Sequence, residues 1–217
     1  MNPKTGPWRS ALRLGLLGLA VGLLLQGVRL LTAARIEAAR EAQLRAALQL
    51  ALPDADLDPT LGQEWVEVRA PGWLGSRAPM RVYRARRQGE LAGWIVEAEA
   101  PDGYGGPIRM LVGIDGTGRV QGVRLTEHQE TPGLGDYVDA RRDDWWQSLR
   151  LRSLTDPPPP QWGIAADGGR FPYRAGATIS PRAVVAAVAR ALGLVARHHH
   201  ELASAPAGSL LELPDGP

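Results

Sequence analysis

The segment RAGATISPRAVV, residues 174–185, sets one hydroxyl, Thr178, among residues with almost no bulk: Ala175, Gly176 and Ala177. Ser180 and Pro181 follow, and then Val184, Val185, Val188, Leu192 and Val195 recur at helical spacing. Ser180 is a favoured N-cap and Pro181 suits a first helical position, so the pattern predicts a helix from about residue 181. The first N–H groups of a helix lack intrahelical partners, and together with the dipole they favour an anion just ahead of them. Thr178 lies there, and Gly176 with its flanking alanines leaves room for a phosphate beside the backbone. The chemistry these residues suit is the holding of a phosphorylated group. They also suit a plain Ser-Pro helix start beside a surface hydroxyl, and the local residues leave both readings open. No P-loop lysine accompanies the Gly-Ala-Thr triplet, and no GxGxxG follows a strand, so neither a Walker nor a Rossmann site is supported.

A second stretch with ligand-binding potential is EHQETPGLGDYV, residues 127–138. Pro132, Gly133 and Gly135 exclude a regular strand or helix, which makes TPGLG a loop whose backbone N–H groups can face a ligand, or simply a turn. His128 is the one histidine away from His198, His199 and His200. Those three are read as ending the last helix, where cations suit the dipole, rather than as a metal site. There is no cysteine, which removes disulfides, thiolate metal sites and cysteine nucleophiles together. A net charge of +2 with interleaved signs gives no basic stripe and argues against nucleic acid. No acid–base constellation, catalytic triad or metal box stands out, so the chain does not read as a stand-alone enzyme.

The elements around these segments follow from composition and period. Residues 14–28, LGLLGLAVGLLLQGV, carry no charge, and 11–31 supply about the 20 residues a bilayer-spanning helix needs. The run reads either as a cleaved signal peptide, with LTAA at 31–34 as a poor cleavage site, or as a retained anchor, the reading its length favours. The basic residues on both sides do not decide its orientation, and the short basic stretch 1–10 only leans toward a cytoplasmic start. Residues 32–53 are rich in Ala, Glu, Arg and Leu and are read as a helical stalk, with Leu44, Leu48 and Leu50 near one face and Pro53 as its stop. A turn-rich linker then runs to residue 63. From residue 64 the period changes to alternation, in WVEVRA, MRVYRARR, LAGWIVEAEA, IRMLVGID and GRVQGVRLTEH, with DGTG at 115–118 as a hairpin turn. The fold class expected is α+β: one N-terminal transmembrane helix, then an antiparallel sheet with packed helices. Asp136–Arg152 reads as helical, with Trp145 and Trp146 as core, and TDPPPPQWG at 155–163 as a stiff extended connection. Residues 64–200 form the folded domain, and 201–217 read as a disordered tail.

Taken in order, GYGGPIRMLVGID, GRVQGVRLTEHQETPGLGD and AGATISPRAVVAAV resemble the FMN-binding domain of the G subunits of the Rnf ion-translocating electron-transport complexes, the RnfG/RsxG family. The resemblance covers roughly residues 8–196. It is closer than the resemblance to the related FMN domain of the sodium-pumping NADH:quinone reductases. It implies FMN joined covalently through its phosphate to Thr178, by a separate flavin transferase acting on FAD. It implies an inner-membrane anchor with the flavin domain on the periplasmic side. It also implies partner membrane subunits and electron transfer between ferredoxin-type donors and NAD, coupled to ion translocation. The cofactor-binding residues expected are Thr178, Gly176, Ala177 and Ser180, with Thr131, Gly133, Leu134 and Gly135 of the second loop and Glu130 beside them. Two positions depart from the family pattern: Pro172 replaces an Asp, and Ala175 replaces a Ser or Thr. The competing expectation is a membrane-anchored periplasmic sensing or assembly module that binds a phosphorylated ligand reversibly.

Overall fold

A computed structural model describes residues 7–53 and 57–216. The readings made for residues 1–6, 54–56 and 217 lie outside the described residues. The chain divides after Leu44 into two units. Helix α1, Pro7–Ala51, is 45 residues long and supplies all of the first unit's described structure. At 1.5 Å per residue it is roughly 68 Å long, more than twice the ~30 Å hydrocarbon thickness of a bilayer. Its leucines between Leu12 and Leu31 are exposed, as a surface meant for lipid requires. The segments read as anchor and stalk thus lie on one continuous helix.

The second unit opens with the last turns of α1. Leu48, Ala51 and Leu52 are buried, whereas Leu50 is exposed, so the face expected from Leu44, Leu48 and Leu50 is set by Leu48 and Ala51. After a turn come β1 (Trp65–Arg69), the one-turn α2 (Pro71–Leu74), β2 (Met80–Arg87), β3 (Glu90–Ala100), β4 (Ile108–Asp115) and β5 (Val120–Glu127). Helix α3 (Ile179–Ser204) and β6 (Leu210–Glu212) complete the unit. The sheet order is β5-β4-β3-β2-β1-β6. All neighbours from β5 to β1 are antiparallel, and β6 joins β1 in parallel, so the sheet is mixed at that edge.

Strand alternation produces two buried faces. Val82, Trp94, Val96, Met110, Val112 and Ile114 share a core with Val184, Val185, Val188, Ala191, Leu192 and Val195 of α3. α3 is itself long and apolar enough to pass for a membrane span, but this face is covered by the sheet. The other face receives the end of α1. Gly113 and Gly122 pair across β4 and β5, and a Cβ at Gly113 would stand 1.9 Å from the Ala51 carbonyl oxygen. Two glycines inside strands, which weaken a strand on propensity alone, make room here for a helix terminus.

Three expectations are corrected. Asp136–Arg152 is not a helix but two 3-10 turns, Asp136–Val138 and Trp145–Leu149. Its aspartates bond nearby backbone instead: Asp139 accepts from Arg141 N at 3.0 Å and Asp143 from Trp145 N at 3.0 Å. That local competition is why Asp is poor in helix interiors. The proline run bends into a 3-10 turn at Pro159–Gln161 rather than staying extended. The tail expected to be disordered is ordered. α3 continues past the histidines to Ser204, and Arg84, buried at 6% exposure, donates to the carbonyls of Leu202 and Ala205. β6 then pairs Leu211 with Val68, and Pro214 O accepts from Trp73 Nε1 at 3.2 Å. Ala, Ser and Pro in the tail resemble a disordered composition, but an open sheet edge supplies the hydrogen bonds that order it.

The hairpin at 115–118 forms as expected, and Asp115 holds it. Its carboxylate accepts from Thr117 N at 2.8 Å, Arg119 N at 3.0 Å and the Gln121 amide. Burial pushes this carboxyl up, but the hydrogen bonds outweigh it and hold the pKa below the ordinary carboxylate value. A depressed folded-state pKa stabilises above the unfolded value, and that stabilisation is lost as pH falls through the folded one. Asp115→Ala should therefore cost about 1–3 kcal/mol in urea unfolding near neutral pH. The gap from the parent protein should close when the titration is repeated below the carboxylate range. Gly113→Ala should cost about 1–3 kcal/mol through overpacking against Ala51, read by the same unfolding measurement.

Candidate functional site

The GAT segment is a tight turn followed at once by a helix. Ala177 N donates to Arg174 O at 3.1 Å, and Gly176 at φ +82° supplies the left-handed residue the turn needs. The turn hangs on Tyr137, whose buried hydroxyl donates to Ala177 O at 3.0 Å and accepts from Arg174 N at 3.2 Å. Burial pushes the Tyr137 phenol up, so it remains a hydroxyl able to make both bonds. The ring is held in turn: Trp145 meets it edge-on at 5.9 Å, and the Arg174 guanidinium lies 4.7 Å above it. Trp145 Nε1 donates to Pro172 O at 2.7 Å, and Arg174 pairs with Asp143. Of the tryptophan pair expected in the core, Trp145 is buried there, whereas Trp146 is half-buried and stacks with Arg124 outside it.

α3 begins two residues earlier than the pattern predicts, at Ile179, with Thr178 in the N-cap position. The Thr178 hydroxyl makes no capping hydrogen bond, and no side chain caps this terminus. Ser180, expected to be the cap, is buried inside the first turn and donates its hydroxyl to Glu130 Oε2. Pro181 brings no N–H, so the amides of Ile179 and Ser180 are the first-turn donors at the helix mouth. An uncapped, partly exposed threonine hydroxyl beside two free-end amides is the arrangement that binds a phosphate group.

Glu130 is only 4% exposed and joins three segments. Oε2 accepts from Ser180, and Oε1 accepts from Gly105 N at 3.2 Å. A Cβ at Gly135 would stand 2.7 Å from Oε2 and 2.8 Å from Ser180 Oγ, so any larger residue there would have to displace this bonded pair. The N–H groups of that loop do not face a ligand, contrary to expectation. Gly133 N donates to Asp136, and Leu134 N and Gly135 N both donate to Thr131 O. What the loop offers is the exposed side chain of Leu134 and the bare Cα of Gly135. His128 stands 3.4 Å from Asp139, part of a pairing in which Arg141 also takes part. Burial pushes Asp139 up, but the bonds from Arg141 prevail and its carboxyl lies below the usual range.

These elements enclose a cavity of about 120 Å³, lined by Tyr104, Leu134, Gly135, Gly176, Ala177, Thr178, Ile179 and Ser180. The structure brings together six of the residues singled out in the sequence: Thr178, Gly176, Ala177, Ser180, Leu134 and Gly135. Glu130 lies beneath them, bonded to Ser180, while Thr131 and Gly133 are outside the lining. Two residues at the mouth had no motif to mark them. Ile179 follows the triplet directly. Tyr104 stands 74 positions ahead of Thr178, and its one signal is the bracket of glycines in GYGG. No cluster of three or more metal-ligating side chains occurs among the described residues.

The comparisons with known proteins converge on the same segment. Residues 103–193 match the family described as FMN-binding domain. That range opens at the Tyr104 loop and ends inside α3, so it contains the whole cavity lining. The G subunit of the ion-translocating oxidoreductase complex of Pseudomonas aeruginosa (strain UCBPP-PA14) is 45% identical over 185 residues, covering 85% of this chain and 86% of the relative. The G subunit of Aliivibrio fischeri (strain ATCC 700601 / ES114) is 38% identical over 198 residues, 91% of this chain and 94% of the relative. That of Vibrio cholerae (strain ATCC 39541 / Classical Ogawa 395 / O395) is 40% identical over 176 residues, 81% and 84% respectively. With identity of this level along most of both chains, and with an FMN-binding domain laid over the cavity, the chain belongs to the family of ion-translocating oxidoreductase complex G subunits.

Proposed function

We propose that this chain is a membrane-anchored electron-transfer subunit whose FMN is joined through its phosphate to Thr178 Oγ. The observation that carries this reading is the Thr178 hydroxyl itself: it occupies an N-cap position without capping, at a helix mouth, on the wall of the cavity. An N-cap threonine ordinarily hydrogen-bonds the first turn, so an unengaged one is available to bond elsewhere. Small neighbours leave the oxygen accessible, since a Cβ at Gly176 would meet nothing within 4 Å. The α3 amides and dipole favour the phosphodiester charge. Glu130 does not compete for those amides, because both its oxygens are engaged by Ser180 and Gly105.

In the attachment step Thr178 Oγ attacks the FMN-side phosphorus of FAD, AMP leaves with the electrons of the broken bond, and the threonine proton is released. A flavin transferase catalyses this. FMN, when bound, supplies one- and two-electron redox chemistry, and the protein supplies its position and surroundings. The apolar stretch of α1 holds the domain at the inner membrane, with the cavity on the periplasmic side. A tether suits a compartment where lost flavin is not replaced from the cytosolic pool. The partners are the other membrane subunits of an Rnf/Rsx-type complex, which moves electrons between ferredoxin-type donors and NAD and couples this to ion translocation. The names of the relatives, subunits G of an ion-translocating oxidoreductase complex, support the multisubunit complex and its ion translocation.

Two measurements test the reading. Full-length protein from cells containing the flavin transferase should fluoresce in a denaturing gel and carry the added mass of an FMN ester on the peptide containing Thr178. Thr178→Ala should abolish both signals, and Thr178→Ser should retain at least part of them. A dark band from parent protein in such cells would instead favour reversible binding of a phosphorylated ligand. Because the turn that presents Thr178 hangs on Tyr137, Tyr137→Phe should lower the labelled fraction with Thr178 intact. It should also cost about 1–3 kcal/mol in urea unfolding, since the buried Ala177 carbonyl loses its donor.

A further inference from the structure

The cavity is too small for the group proposed to sit there. Pockets that enclose a drug-sized ligand measure about 300–1,000 Å³, and this one is about 120 Å³. A phosphate and the start of a sugar chain fit inside, but a three-ring system does not. The ring system needs a surface next to the mouth, and the mouth has an apolar one. Tyr104 is 63% exposed, Leu134 43% and Ile179 42%. Large side chains exposed together beside a cavity mark a binding surface.

Tyr104 is held in that place by its backbone. A Cβ at Gly103 would stand 2.2 Å from Gly106 O, and one at Gly105 would stand 1.9 Å from Gln129 O. Gly105 N is bonded to Glu130, the same carboxylate that receives Ser180 at the start of α3. The loop carrying Tyr104 is thus fixed to the helix that carries Thr178, through one buried group. The Tyr104 hydroxyl has no hydrogen-bond partner among the described residues, so nothing within the fold accounts for a tyrosine there. A tyrosine has only two side-chain torsions to order and presents a large flat face.

We infer that Tyr104 is the wall on which the flavin ring lies, with Leu134 and Ile179 as the apolar floor beside it. This rests on the reading that FMN is bonded to Thr178. Contact of a phenol with a flavin has a specific optical consequence. Tyr104 would be placed to give one electron to a photoexcited flavin and take it back, so both groups would return to their ground states and the emission would be lost. Phenylalanine keeps a flat ring but is too hard to oxidise to do this.

The experiment uses full-length protein purified in detergent from cells containing the flavin transferase, with the flavin content of each sample fixed by intact mass. The parent protein should emit several-fold less per flavin than free FMN under native conditions. Tyr104→Phe and Tyr104→Leu should both raise the emission several-fold at equal flavin content. Tyr173→Phe, an exposed tyrosine outside the cavity lining, should leave it unchanged. Tyr104→Leu should in addition shift the flavin absorption bands, because the flat neighbour is gone, while Tyr104→Phe should not. Flavin at full content whose emission is unaltered by Tyr104→Phe overturns this inference and leaves the Thr178 reading standing. Parent protein without the added mass overturns both.

Discussion

One buried carboxylate determines whether the site exists. Glu130 receives the Ser180 hydroxyl from the first turn of α3 and the Gly105 amide from the loop before β4, and it lies against Gly135 of its own loop. The β4–β5 pairing, with Arg109 opposite Glu127, brings the two loops together, and the Ser180 bond adds the start of α3, 50 residues further on. A carboxylate so placed is costly to bury unless its oxygens are hydrogen-bonded, and here both are. The same bonds remove Ser180 from the capping role and leave Thr178 at the cap position with its hydroxyl free. The unengaged state of the Thr178 hydroxyl thus goes with where a neighbouring serine has been drawn.

A second tier of support is aromatic. Tyr137 bridges both ends of the GAT turn, and Trp145 and Arg174 hold its ring from two sides. Pro172 and Ala175, where the family pattern has an acid and a hydroxyl, fit this arrangement. The Pro172 carbonyl is bonded to Trp145, and Ala175 is exposed in the turn with no polar group to satisfy. The acidic residue beside this turn is Asp143, paired with Arg174.

Much of this was legible in the residues, and the illegible part has definable causes. The alternating strands, the Asp115 hairpin and the apolar stripe of α3 rest on short-range periodicity, and the structure has them. Gly176 was singled out for the room it leaves, and its left-handed turn conformation came only with the structure. The roles of Gly113 and Gly122 were not legible, because each answers to the Ala51 carbonyl, distant in sequence. Ser180 misled for the same reason: a serine before a proline is a cap by local rules, and Glu130 overrules them from 50 residues away. The aspartates of 136–144 misled in the opposite direction, since a helical spacing of apolar residues hid side chains that bond their own backbone. The TPGLG amides looked available because nothing local shows that Thr131 and Asp136 take them.

The parallel strand β6 has a practical corollary. It covers the free edge of β1, while the Pro214 carbonyl accepts from the Trp73 indole N–H and Gly216 packs against its ring. Deleting the last dozen residues as dispensable would bare unpaired amides along β1 and an indole beside them, the kind of border along which separate molecules aggregate. Preparations of this protein trimmed after α3 would then owe poor solubility to the trimming, whatever the state of the flavin.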